Sequence, residues 1–161
     1  MKLSPNFTLQ ELIYSDTARR YKINNTPTPQ QLKVLQHTCV YFLEPLRKLL
    51  SQHYGSACIK ITSGYRCLAL NRKLGSKDNS QHVKCEAVDM QVIANKKYIS
   101  YIETYNLIKN WVKQGKLSVD QLICERSGDS CWVHASYSAS GATKNRKQFL
   151  IYRNGKYEID K

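Results

Sequence analysis

Apolar positions fall at helical spacing early in the chain and alternate later, with one further helical stretch between the strands. Thr8 followed by Glu11 forms a capping-box pattern and predicts a short helix through Leu12 and Ile13. Thr28, Pro29 and Gln31 are placed as N-cap, first and third positions of a second helix. That helix carries Leu32, Leu35, Cys39, Phe42, Leu43, Leu46, Leu49 and Leu50 on one stripe and is expected to bend at Pro45. Residues 58–62 alternate and predict a strand that ends in a turn at 63–66. A short helix over 68–74 is stopped by Gly75. Residues 86–92 predict a strand with Val88, Met90 and Val92 on one face and Ala87, Asp89 and Gln91 on the other. Residues 96–113 read as an amphipathic helix with Ile99, Ile102, Tyr105, Ile108 and Val112 as its stripe. Strands at 121–125 and 131–137 are joined by the loop 127–130, and a tail hairpin, 149–153 and 156–159, turns at Asn154-Gly155. Helices followed by hairpins predict an α+β fold, an antiparallel sheet packed against helices, in a single domain over residues 1–161.

Composition changes this picture little. With 161 residues, 42% of them hydrophobic, the chain is long enough to bury a core without disulfides. The six cysteines form no CxxC pair, so free thiols are expected and a zinc ribbon is excluded. No apolar run approaches the ~20 residues that cross a bilayer, and the first residues lack the apolar core of a signal peptide. Cytoplasmic synthesis and a monomeric state are the expectations. The net charge of +13 is more distinctive and points to a polyanionic partner: nucleic acid, a membrane surface or bacterial cell wall. The densest basic groups are residues 19–22 and 144–147, and no nucleic-acid-binding motif accompanies them.

The chemistry lies in residues 80–90 and in the second hairpin. Asp89 stands among Ala87, Val88 and Met90, where an uncompensated carboxylate is costly. Two compensations fit the spacing. One is an arginine, Arg66 or Arg72. The other is a metal ion shared with His82, in the polar turn before the strand, and His134, within the strand 131–137; a catalytic zinc takes three such ligands. His37 and His53 read as helix-face residues. If Arg126 pairs with Cys131, then Glu125 faces Trp132 and lies diagonal to His134, about 6–8 Å away at the backbone. That position suits a general base; the alternative is a strand-end ion pair with Arg126 or a lysine. Asp129, at the hairpin tip, reads as solvated.

SQHVKCEAVD resembles the S-x-H-x-x-G-x-A-x-D signature of the zinc D-Ala-D-Ala carboxypeptidase family, whose fold is shared with the hedgehog signalling domain. ITSGYRCLALNRKLG resembles the segment that precedes the signature, and VDQLICE with CWVHASY resembles the segments bearing the glutamate and the last histidine. The opening, NFTLQELIYSDTARRYKINNTPTPQQL, is similar to a subgroup found in phage and bacterial genomes. The resemblance implies a zinc (Zn2+) site of His82, Asp89 and His134, with Glu125 as catalytic base. It implies Arg66 on the substrate carbonyl oxygen and Ser80 within the site or on substrate, while Trp132 reads as pocket wall or core. The implied activity is hydrolysis of peptidoglycan stem peptides, at D-Ala-D-Ala (carboxypeptidase) or at L-Ala-D-Glu (endopeptidase). Many relatives are phage endolysins that reach the cell wall through a holin. Two rival readings are a non-catalytic zinc-bearing cell-wall-binding module and a basic nucleic-acid-binding protein; the second does not explain the His/Asp/His/Glu set. The chain departs from the signature at its glycine, where it has Cys85. A cysteine fits there if only a small side chain is required, and is strained by about 1–2 kcal/mol if the position needs positive φ.

Overall fold

Capping boxes place the N-terminal helices. Thr8 and Glu11 exchange side-chain and backbone hydrogen bonds at the start of α1 (Leu9–Ile13). Thr28 and Gln31 do the same for α3 (Pro29–Thr38). Between them lies α2 (Asp16–Arg20), one short turn capped by Ser15, which the apolar pattern does not announce. The computed structural model describes residues 1–138 and 145–161. The basic group at 144–147 crosses that boundary, and Lys144 lies outside the described residues.

The long core helix is accommodated in an unexpected way. After α3 the backbone widens into a π-helical turn at Cys39–Leu43 and continues as α4 (Glu44–Tyr54). Pro45 has no N–H to give, and its ring would press on the carbonyl four residues back. A π turn shifts the ladder by one residue and relieves both problems. Leu35, Cys39, Phe42, Leu43, Leu46 and Leu50 all become fully buried.

The strands are β1 (Ala57–Ser63), β2 (Ala87–Ala94), β3 (Lys97–Tyr98), β4 (Gln121–Ser127), β5 (Ser130–Ser136), β6 (Gln148–Arg153) and β7 (Lys156–Ile159). They form one sheet in the order β1-β2-β5-β4-β6-β7, with β3 paired to β2. The pairing is antiparallel except between β4 and β6, which run parallel. The chain leaves β5 and returns beyond the far edge of β4, so β6 enters in the direction of β4 rather than against it. Val88, Met90, Val92, Leu122 and Val133 pack beneath the helices in the main core. Asp89, Glu125 and His134 point to the opposite face.

The helix expected at 96–113 is shorter than its periodicity suggests. It is α6 (Tyr101–Lys113), capped by Ser100. Asn95 and Lys96 both have positive φ, 50° and 64°, and turn the chain back as a hairpin so that Lys97–Tyr98 pairs with β2. Ile102 is accordingly exposed, and Thr104 and Trp111 join Tyr105, Ile108 and Val112 on the buried face. α5 (Leu68–Lys73) and the tail hairpin at Asn154-Gly155 lie where the sequence places them. Among the described residues no helix is long and apolar enough to cross a membrane.

The end of β1 is tied to the N-terminal segment. Tyr65 donates its N–H to Leu12 O at 2.7 Å. Buried Asn25 donates to Ile13 O and Tyr65 O and accepts from the Cys67 N–H. The approach is so close that a Cβ on Gly64 would meet Leu12 O at 2.4 Å, a contact only a shift of α1 could relieve. Gly64→Ala is therefore expected to cost about 2–3 kcal/mol of stability as an overpacking substitution, measured by urea denaturation; unchanged stability would contradict the close packing of α1 on this loop.

Candidate metal centre

Three elements bring the donor atoms together. Asp89 lies on β2, directly across from His134 on β5. His82 sits in the turn that precedes β2, where the His82 carbonyl accepts the Arg66 and Cys85 N–H groups. His82, Asp89 and His134 are all buried, and one ligand atom from each lies within 4.8 Å of the others. Asp89 Oδ1 is 2.9 Å from His134 Nδ1 and 3.3 Å from His82 Nε2.

Each imidazole has an oxygen partner on both ring nitrogens. His82 Nδ1 donates to Gly64 O at 2.7 Å, which leaves Nε2 as the lone-pair nitrogen. His134 Nδ1 lies 2.9 Å from Asp89 Oδ1 and donates to it in the metal-free protein, while Nε2 faces a second acceptor, Gln81 Oε1, at 3.4 Å; a bound cation would take the place of the Nδ1 proton and leave Nε2 its own. Burial lowers the His82 pKa and keeps its imidazole neutral. Burial alone would raise the Asp89 pKa, but the two histidines outweigh it and hold the carboxyl far below the usual carboxylate range. Two imidazole nitrogens and a carboxylate oxygen thus converge within 4.8 Å of one another. A divalent cation satisfies all three, so the donor set fits zinc.

Both compensations expected for Asp89 are present, on different oxygens. Arg66 Nη2 donates to Oδ2 at 2.7 Å, and Oδ1 faces the histidines. Arg66 Nε is held by Ser63 Oγ at 2.8 Å, which leaves Nη1 outside these bonds. A β-bulge between Ile61 and Ser63 makes this possible, because it turns Ser63 onto the face of Asp89. Arg72 instead pairs with Asp78 on the surface.

The second hairpin has the register expected from its sequence: Arg126 pairs with Cys131, Glu125 with Trp132 and Ile123 with His134. Glu125 is buried, and its strand neighbour Arg126 points away and donates to Gly128 O. Burial pushes the Glu125 carboxyl up to about 7; His134 and Arg66 oppose this, and Asp89 adds to it. Arg66, Ser80, Glu125 and Trp132 line one open cleft of about 1220 Å³ with the three donors. Ser80 Oγ accepts the His82 N–H at 3.3 Å. Trp132 is half-buried, and its buried Nε1 has no hydrogen-bond partner among the described residues. His37 and His53 lie on the helices against aromatic rings, and Asp129 is exposed at the hairpin tip.

Some contributors were not legible in the sequence. Gln81 bridges His134 to Asp120, donating to Asp120 Oδ2 at 2.7 Å, and Arg146 locks Asp120 with three further hydrogen bonds, from its backbone N–H, Nε and Nη2. SQH and VDQ show the residue types, but only the folded chain shows that they meet. Cys85 has φ of 64°, so the signature position does need a left-handed backbone and the cysteine is strained. Its thiol is buried in the core rather than among the donors, and burial pushes its pKa up to about 12.

A family model described as Peptidase M15 matches residues 5–123, well over half of the chain. No curated protein matches it.

The raised Glu125 pKa carries a stability cost that can be measured without substrate. Between about pH 4.5, the ordinary value, and about 7, the unfolded chain ionises while the folded protein keeps the proton. Folding stability therefore falls as pH rises through that window. Glutamine cannot ionise, so metal-free Glu125→Gln is expected to gain on the wild type by roughly 1–3 kcal/mol at neutral pH and by little at pH 4. Paired denaturation curves across this range test it, and a pH-independent difference would contradict the assignment.

Proposed function

The chain belongs to the M15 peptidase family, and from that premise we propose that it is a zinc-dependent hydrolase of peptidoglycan stem peptides. Its type is D-Ala-D-Ala carboxypeptidase or L-Ala-D-Glu endopeptidase. The observation that carries this reading is the convergence of two imidazole nitrogens and a carboxylate oxygen beside a buried glutamate with a pKa near neutrality.

His82 Nε2, Asp89 Oδ1 and His134 Nδ1 would hold the ion. Zinc, when bound, supplies a Lewis acid for the scissile carbonyl and lowers the pKa of a hydrolytic water toward ~7. Glu125 is suited to take a proton from that water and return it to the leaving amine, because its own pKa lies near the working pH. Arg66 cannot swing freely, since Ser63 and Asp89 fix its guanidinium at the cleft wall. A fixed cation there stabilises negative charge developing on the substrate carbonyl oxygen without having to reorganise. Gln81, Asp120 and Arg146 keep the His134 ring oriented. Ser80 and Trp132 offer contacts to substrate along the cleft. The net charge of +13 favours adhesion to an anionic wall.

Purified peptidoglycan incubated with the protein and analysed by mass spectrometry is expected to yield new stem-peptide fragments. They should be absent with a chelator and fall by at least ~10^3-fold with Glu125→Ala. The masses identify the bond. Folded, zinc-loaded protein that releases no fragment from several wall types would contradict the peptidase reading and favour the non-catalytic wall-binding module.

A further inference from the structure

One rung of the sheet crosses the cleft in a straight line. Trp132 on β5 pairs with Glu125 on β4, Glu125 with Tyr152 on β6, and Tyr152 with Tyr157 on β7. All four side chains line the cleft. Neighbouring strands are about 4.8 Å apart, so Tyr152 stands about 5 Å and Tyr157 about 10 Å from Glu125 at the backbone. The two tyrosine rings lie 4.7 Å apart at 45°. The adjoining rung on the same face continues from Ile123 to Leu150 and Ile159. Tyr157 is 59% exposed and Ile159 75% exposed. An aromatic and aliphatic shelf left open beside a polar cleft is the kind of surface that marks a binding site rather than a core. It is built by the tail hairpin, outside the residues 5–123 that match the family.

We propose that the Tyr152–Tyr157 shelf is a subsite for an amino-sugar ring of the glycan strand, and that it directs cleavage to the peptide bond nearest that sugar. The inference rests on the peptidoglycan reading of the same cleft. A pyranose ring has one flat face of C–H groups and a polar rim, and tyrosine offers the matching apolar face with a polar tip. The small side chains of a stem peptide present no such flat face. The spacing selects the bond. An extended chain advances about 3.3–3.6 Å per residue, so a group on Tyr157 is two to three residue lengths from a bond held at Glu125. The first peptide bond of the stem lies about that far from the sugar, and a D-Ala-D-Ala bond at the far end of the stem lies well beyond it.

Two measurements test the shelf independently. The first compares hydrolysis of N-acetylmuramoyl-L-Ala-D-isoglutamine with that of N-acetyl-L-Ala-D-isoglutamine. Wild type is expected to favour the sugar-bearing probe in kcat/KM by about 10-fold, the size of one good stacking contact. Tyr157→Ala should bring the ratio close to one, mainly through KM, and Tyr157→Phe should keep it. The second follows binding of the disaccharide N-acetylglucosaminyl-N-acetylmuramic acid by saturation-transfer NMR, with no hydrolysis required. Saturation of the sugar C–H protons in wild type and Tyr157→Phe, lost in Tyr157→Ala, supports the shelf. The shelf is overturned if the disaccharide does not bind, or if Tyr157→Ala leaves either the binding or the ratio unchanged. Wild type that binds the disaccharide but cleaves neither probe nor any wall would overturn the peptidase reading and leave the shelf standing.

Discussion

The Asp89 carboxylate is buried on a strand whose other face packs into the main apolar core, so its charge must be answered on the cleft side. Arg66 answers one oxygen, and two histidine nitrogens crowd the other. Most of the structure around the cleft holds this arrangement in place. The β1 bulge aims Ser63, which fixes Arg66. Gly64 O fixes the His82 tautomer, and Gly64 is held against α1 with no room for a side chain. Asn25 ties the same loop to the N-terminal segment through three backbone groups. The opening helices are thus part of the site's support, although none of their residues is a donor.

The site is maintained at some cost to the fold. Glu125 is buried where its ionised form is disfavoured. Cys85 is held at positive φ so that the turn can present His82 and then enter β2. Buried Trp132 Nε1 lacks a partner among the described residues. These departures from local preference gather around the cleft, as expected where function sets the geometry.

Much of this was legible in the sequence because the signals are local. Capping boxes at Thr8 and Thr28, the Asn154-Gly155 turn and the alternation that puts Asp89 opposite Val88 are each decided within a few residues. The register supposed for the second hairpin, with Glu125 opposite Trp132, holds, although Ser127 and Ser130 also pair, so the loop expected over 127–130 is only the two-residue turn Gly128-Asp129. What could not be read depends on residues distant in the chain. The π turn answers a conflict between Pro45 and an otherwise ideal helix. The 95–98 hairpin requires positive φ at Asn95 and Lys96, which a helical apolar period conceals. The parallel docking of β6 on β4 fixes where Tyr152 and Tyr157 stand, and the Gln81–Asp120–Arg146 chain exists only once β2, β4 and the 145–148 segment meet.

Everything at the cleft turns on whether His82, Asp89 and His134 hold one zinc ion. The most direct measurement is calorimetric titration of zinc into the metal-free protein, beside His82→Ala and His134→Ala variants whose folding is checked by circular dichroism. One tightly bound ion per wild-type chain and a large loss of affinity in both variants are expected. Equal stoichiometry and affinity in all three proteins, or no binding to folded wild type, would contradict that assignment.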